Sequence, residues 1–293
     1  MVRMKQMAMT AALVAVALAG CLPSGDDDGG VVTVDGADGA GGASAGGAMA
    51  AGGSPGQEDL TVDEDGDGLD LAAERALGSD PTVADSDGDG YSDGDEAHAG
   101  TVPTDPESVI YRGGWPYNRH KDEIEGPGWD SEPGLGTMMP RYRARDQYGD
   151  LFDLYDLHGL GRPVVIDVAT WFCEPCKAMA AFFTDGDEAV FEEFPWWRPE
   201  FAPVREMIEN DELFWITILY SGGTPVTQED VARWHDTWPS DKIIVLADSE
   251  NQLSDYLSVR AMPRIDILDQ NMVFTVYYPQ GPVLGMRTLV GLE

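Results

Sequence analysis

The chain has 293 residues, with 53 acidic against 18 basic side chains, three cysteines and a formal charge of −35. So negative a surface makes poor partners of nucleic acid and anionic lipid headgroups and good ones of metal cations. Three cysteines in so long a chain also argue against a disulfide-stapled scaffold.

At the start, Arg3 and Lys5 precede a short apolar run over 11–19, and the small residues Ala19 and Gly20 then lead to Cys21. A membrane helix needs about 20 apolar residues, so this run reads as a targeting signal. Leu18-Ala19-Gly20-Cys21 resembles the lipobox of bacterial lipoproteins, in which the cysteine is lipidated and becomes the first mature residue. The resemblance implies a signal peptide over 1–20 and a lipid anchor on Cys21; an ordinary secretory signal that holds a cysteine is the alternative. Leu22, rather than an acid, follows the cysteine, which is similar to outer-membrane sorting. The implied location is extracytoplasmic, on the outer membrane of a bacterial envelope, at its periplasmic or surface face. Residues 21–57 are mostly Gly, Ala, Ser and Asp without an aromatic. Such a stretch buries too little apolar area to offset its ordering entropy and is expected to be a disordered tether spanning roughly 30–35 Å.

Residues 58–108 form an acidic module with 17 acids and one base, Arg75. Two segments match, Asp63–Glu74 (DEDGDGLDLAAE) and Asp85–Glu96 (DSDGDGYSDGDE). A twelve-residue calcium loop places acids at positions 1, 3, 5 and 12 with glycine at 6. The candidate ligands are therefore Asp63, Asp65, Asp67 and Glu74 in the first, and Asp85, Asp87, Asp89 and Glu96 in the second, where Asp93 adds a ninth-position acid. Asp70 and Ser92 stand where paired EF-hands carry an apolar residue, and no long amphipathic helix leads into either loop. The segments instead resemble thrombospondin type 3 repeats, which implies a wire-like stalk wound around structural calcium. A disordered acidic spacer is the alternative.

Residues 109–139 are Gly/Pro-rich and are expected to wrap the domain that follows. Within 140–293, Val164–Ala169, Leu213–Tyr220 and Ile243–Leu246 read as buried strands, and Arg264–Leu268 with Met272–Tyr278 as a terminal hairpin turning at Asp269–Asn271. Helices are expected from Cys176 to Phe183, from Glu229 to Trp238 behind a Thr227 cap, and over Asn251–Leu257. Strands alternating with helices imply an α/β sheet covered on both faces. Residues 281–293 contain three glycines and read as a poor helix, leaving one sheet face to be covered by 110–139. The aromatic segment Ala189–Pro203 is expected to pack rather than to form a platform.

Within TWFCEPCKAM, Cys173 and Cys176 stand where a strand ends and a helix begins. A thiol there meets unpaired N–H groups and the positive dipole end, which favour the thiolate. Pro175 is tolerated in the first turn because its missing N–H lacks a partner there anyway. Cys173 is expected to attack and Cys176 to resolve. A structural zinc site would need two further ligands, and neither a third nearby cysteine nor grouped histidines supply them; a passive surface disulfide is the other alternative. Glu174 places negative charge beside the attacking sulfur and opposes the dipole.

These residues resemble the active site of the thioredoxin superfamily, and more narrowly of extracytoplasmic, membrane-tethered thiol–disulfide reductases. The similarity runs from Pro140, where a short antiparallel preamble is expected over 140–157, to the C-terminus. It implies a thioredoxin-like fold with a central mixed sheet and flanking helices, a buried Asp167 that accepts the Cys176 proton, and a cis Pro263 facing the disulfide. It also implies substrate contacts from Trp171, Phe172 and the Met262 backbone. The expected activity is disulfide reduction or exchange without a redox cofactor, with calcium in a structural role. Its partners would be a disulfide-bearing protein substrate and an electron donor or acceptor, with no nucleic acid. A non-catalytic lipoprotein presenting a thioredoxin-like binding head, or a copper relay, are the competing readings.

Overall fold

The computed structural model describes residues 59–292. The signal, Cys21 and the tether lie outside the described residues. Contacts group Gln57–Glu293 into one compact unit.

The two acidic segments fold alike. In the first, Asp63 accepts from the backbone N–H of Gly66 and Gly68 at 2.7 and 3.1 Å. In the second, Asp85 accepts from Gly88 and Gly90 at 2.8 and 3.1 Å. Gly68 and Gly90 hold φ near +100°, a conformation that a side chain would strain. Each loop runs into a short helix, α1 (Leu71–Leu77) or α2 (Asp93–Ala99). Asp70 and Ser92 are the N-caps of these helices, which is why a polar residue stands at that loop position. Each repeat is thus a turn-rich acidic loop followed by a short capped helix. The repeats also pack on each other: the Gly94 N–H donates to Asp67 at 2.8 Å, so close that a Cβ on Gly94 would fall 2.2 Å from the Asp67 carbonyl oxygen.

Next comes a hairpin of β1 (Arg143–Arg145) and β2 (Leu151–Asp153), antiparallel, at the expected preamble. The main sheet has five strands in the order β5-β4-β3-β6-β7. They are β3 (Val164–Ala169), β4 (Phe214–Leu219), β5 (Ile243–Ala247), β6 (Arg264–Leu268) and β7 (Phe274–Val276). The first three run parallel, β6 is antiparallel to β3, and β7 to β6. This is the mixed sheet of a thioredoxin-like fold. Its central strands are buried on both faces, so they read as continuous apolar runs rather than alternating ones.

One face carries α3 (Glu174–Asp185), α4 (Ala189–Glu193), α5 (Pro203–Glu209), α6 (Gln228–Thr237) and α8 (Val283–Leu289), around a core that includes Val165, Phe183, Trp197, Trp215, Trp234 and Met286. The aromatic segment packs, as expected: Trp197 is fully buried between Phe182, Phe183 and Phe201. The other face carries α7 (Gln252–Leu257), the preamble and the wrapping segment, through Tyr111, Tyr142, Phe152 and Leu253.

The expectation for the C-terminus needs correcting. Residues 283–289 do form a helix, and it lies on β6 and β7. Gly285 is what lets it approach, since a Cβ there would sit 2.4 Å from Ile265 Cγ2. The wrapping segment consequently covers the opposite face, where Tyr111 donates to Asp156 at 2.5 Å and Lys121 binds the same carboxylate at 2.9 Å.

Both borders of the sheet are occupied. The Gln147 side-chain amide donates to Ile243 O at 2.9 Å and accepts from Val245 N at 2.8 Å, standing in for a neighbouring strand along β5. At the other border Gly136, Thr137 and Met139 bond the backbone of Met272 and Phe274.

Candidate active site

At the end of β3 the chain turns through Thr170–Phe172, closed by Cys173 N donating to Thr170 O at 3.0 Å. Cys173 is the N-cap of α3, and its sulfur accepts from Cys176 N at 3.2 Å. Pro175 lies in the first turn. The two sulfurs form a disulfide. Cys173 is 8% exposed and Cys176 1%, an asymmetry that leaves one sulfur nearer to a partner than the other. Glu174 is paired with Lys177 at 2.6 Å, so its charge opposes the helix dipole less than the sequence implies.

Asp167 lies on β3 opposite Thr217 of β4, on the face covered by α3. One carboxyl oxygen accepts from Thr217 Oγ1 at 3.3 Å, and the other is buried without a partner. Burial pushes this carboxyl up to about 7, against the opposing influence of hydrogen bonds from Thr217 and Trp215. The Met262–Pro263 peptide is cis. Val168 pairs with Arg264, which carries Pro263 to the level of Ala169, the strand end from which the cysteine turn departs. Met262 is half-buried against the α3-side core.

Trp171 and Phe172 behave differently. Phe172 is 84% exposed, the most open large apolar side chain described. Trp171 is half-buried, edge-on to Trp234 at 5.2 Å, with the Arg233 guanidinium 4.4 Å from its ring centre and Trp238 at 5.7 Å. The sequence reading did not attach these three α6 side chains to the site. Their spacing at Trp234 and Trp238 marks one helix face, but nothing local says that Trp171 meets it. A mostly apolar groove of about 270 Å³ opens beside them, between Thr170–Phe172 and the segment Tyr220–Val226.

The acidic loops form a second centre. Asp63, Asp65 and Asp67 converge within 4.8 Å, as do Asp85, Asp87 and Asp89. Glu74 and Glu96 are fully buried, with both Glu74 oxygens and Glu96 Oε2 lacking partners. Burial raises both carboxyls, Glu96 to about 7, and the neighbouring aspartates add to it. All-oxygen donor sets with orphaned, buried carboxylates fit a divalent cation. Asp93 departs from its expected place. Both its oxygens accept from Ser86, at 2.9 and 2.7 Å, so it braces the loop instead of offering a free ligand.

A family model described as the bacterial TSP3 repeat matches residues 63–84 and 85–106. Among curated proteins, none matches the chain. Solved structures similar to it include a protein named as the thiol:disulfide interchange protein DsbE of Chlorobium tepidum, at 16% identity over 54% of this chain and 94% of that one, TM-score 0.38. A pneumococcal exposed lipoprotein thioredoxin from Streptococcus pneumoniae is 17% identical over 47% and 88%, TM-score 0.34. A thiol:disulfide interchange protein from Bacteroides sp. is 13% identical over 54% and 91%, TM-score 0.37.

Proposed function

We propose that the chain is a thiol–disulfide oxidoreductase that reduces or exchanges protein disulfides outside the cytoplasm. The observation that carries this reading is the Cys173–Cys176 disulfide at the N-terminus of α3, with the buried Asp167, its carboxyl pushed up to about 7, on the strand before it. In the reduced protein the Cys173 thiolate attacks a substrate disulfide and expels one thiolate. Cys176, its proton passed to Asp167, then displaces the second, and the two substrate sulfurs carry away two electrons. Pro263 and the Met262 backbone border the exchange, and Phe172 with the apolar groove holds the substrate's flanking residues. An electron donor or acceptor protein restores the pair.

In this reading Cys21 carries the lipid that holds the protein on the outer membrane, and residues 21–57 give it reach. Asp63, Asp65, Asp67 and Glu74, with Asp85, Asp87, Asp89 and Glu96, hold structural calcium. Insulin reduction by the soluble chain with dithiothreitol is the test. Cys173→Ser is expected to abolish the rate above background, and equal rates for variant and wild type remove the enzyme reading. For the anchor, labelling with a radioactive fatty acid is expected to mark the wild type and not Cys21→Ser.

A further inference from the structure

A proton delivered to Asp167 has to leave again in every cycle, although the carboxyl is shut off from solvent. Asp167 Oδ1 is buried and unpartnered, and the residue borders a cavity of about 10 Å³. That is the space of roughly one water. Thr184, Thr217, His235 and Ser240 give the cavity its other polar walls, and Trp234 and Trp238 close it on the α6 side. We propose that one water in this cavity joins the Asp167 carboxyl to the imidazole of His235, and that His235 passes the proton to and from solvent. The inference rests on the exchange reading above.

Asp167 and His235 are the only titratable side chains on the cavity wall. From β4, Asp167 faces Thr217 and Trp215; α3 contributes apolar side chains and Thr184. His235 is half-buried in the last turn of α6, and its Nε2 lies 3.4 Å from Tyr148 Oη in the β1–β2 turn. Asp241 and Asp146 are the charges that act on Tyr148. A proton leaving Asp167 through the cavity therefore meets one basic side chain, an imidazole whose Nε2 neighbour, the Tyr148 phenol, neither takes up nor loses charge at neutral pH.

The step balances without any further reactant. The Cys176 S–H proton moves to the Asp167 carboxylate while the Cys176 sulfur bonds to Cys173 and breaks the Cys173–substrate bond. Asp167 then gives a proton to the water as that water gives one to the imidazole, leaving the water unchanged. The imidazolium releases its proton to solvent, which protonates the departing substrate thiolate. Re-reduction runs the same path backwards. His235 acts through Asp167 and not on sulfur, so it is a positioning and relay residue.

The experiment follows single-turnover oxidation of the reduced chain by glutathione disulfide across about pH 6 to about pH 9. His235→Gln is expected to lower the rate roughly tenfold on the acid side, where Asp167 must shed its own proton before it can take that of Cys176, while leaving the reduction potential unchanged, since a relay alters rates and not equilibria. Imidazole added to His235→Ala is expected to restore most of the loss. Wild-type pH profiles in both variants would overturn the relay, as would imidazole stimulating the wild type and His235→Ala equally. Wild-type protein that exchanges nothing would overturn the function itself, and that result is read first.

Discussion

Asp167 is a carboxylic acid shut off from bulk solvent, so its proton affinity is a stability term as well as a chemical one. Its folded value of about 7 lies above the ordinary 3.8. The neutral acid's contribution is therefore complete below about pH 4 and lost as pH rises through about 7. Over that window the oxidised protein should lose on the order of 4 kcal/mol of unfolding free energy, and Asp167→Asn should flatten the slope. Urea melts at either end of the window measure it, and parallel slopes for both proteins would show that the carboxyl ionises freely. Phe172 is a different kind of residue. Being almost wholly in solvent, its truncation to Ala should leave stability within about 0.5 kcal/mol. It should raise KM several-fold for a protein disulfide and leave a small aromatic disulfide reagent unaffected. An equal change for both substrates would take Phe172 out of substrate contact.

At the scale of elements, Gly285 decides whether α8 can lie on the sheet. Alanine is the better helix former by about 1 kcal/mol, yet its methyl group would be driven into Ile265. Gly285→Ala should therefore destabilise, by about 1–3 kcal/mol in denaturant titration, and a stabilised variant would mean the helix sits further out. The same glycine explains why α8 was illegible in the sequence. Helix propensity registers only its weakness; its fit against a strand twenty residues earlier leaves no local trace. Elements with self-contained signals were legible: β3, β4 and β5 as largely apolar runs, β3 interrupted by Asp167, and α6 from its Thr227 cap, which the structure completes as a capping box with Asp230. The cysteine turn was legible too, because its chemistry is confined to neighbouring residues. Arg264 and Asp266 were not. Arginine and aspartate two apart read as the wet side of an edge strand, but here they pair at 2.7 Å, fully buried. The guanidinium also bonds Leu257 O and lies 4.9 Å from the Tyr277 ring centre, which together satisfy it. Asp93 misled for a similar reason, since loop position alone does not say that Ser86 will claim both oxygens.

For the molecule as a whole, the acidic loops and the sheet form one unit, so ion binding should register in its overall stability. Saturating calcium, at about a hundred times its dissociation constant, should add about 2.7 kcal/mol per site over a chelator-treated sample. Glu74→Gln with Glu96→Gln should remove most of that difference, because both Glu74 oxygens and Glu96 Oε2 have no partner otherwise. Identical melting in calcium and in chelator would mean that the loops hold no ion. The stoppered sheet borders carry a further consequence. Backbone groups that Gln147 satisfies along β5 and residues 136–139 satisfy beside β7 are withheld from any visiting chain. Under the proposed exchange reading, a client polypeptide would thereby be denied lateral annealing and would meet instead the loops at the sheet's rim, where the sulfurs are. Crowded copies of the protein would find neither border of the five-stranded sheet open for zipping onto a neighbour.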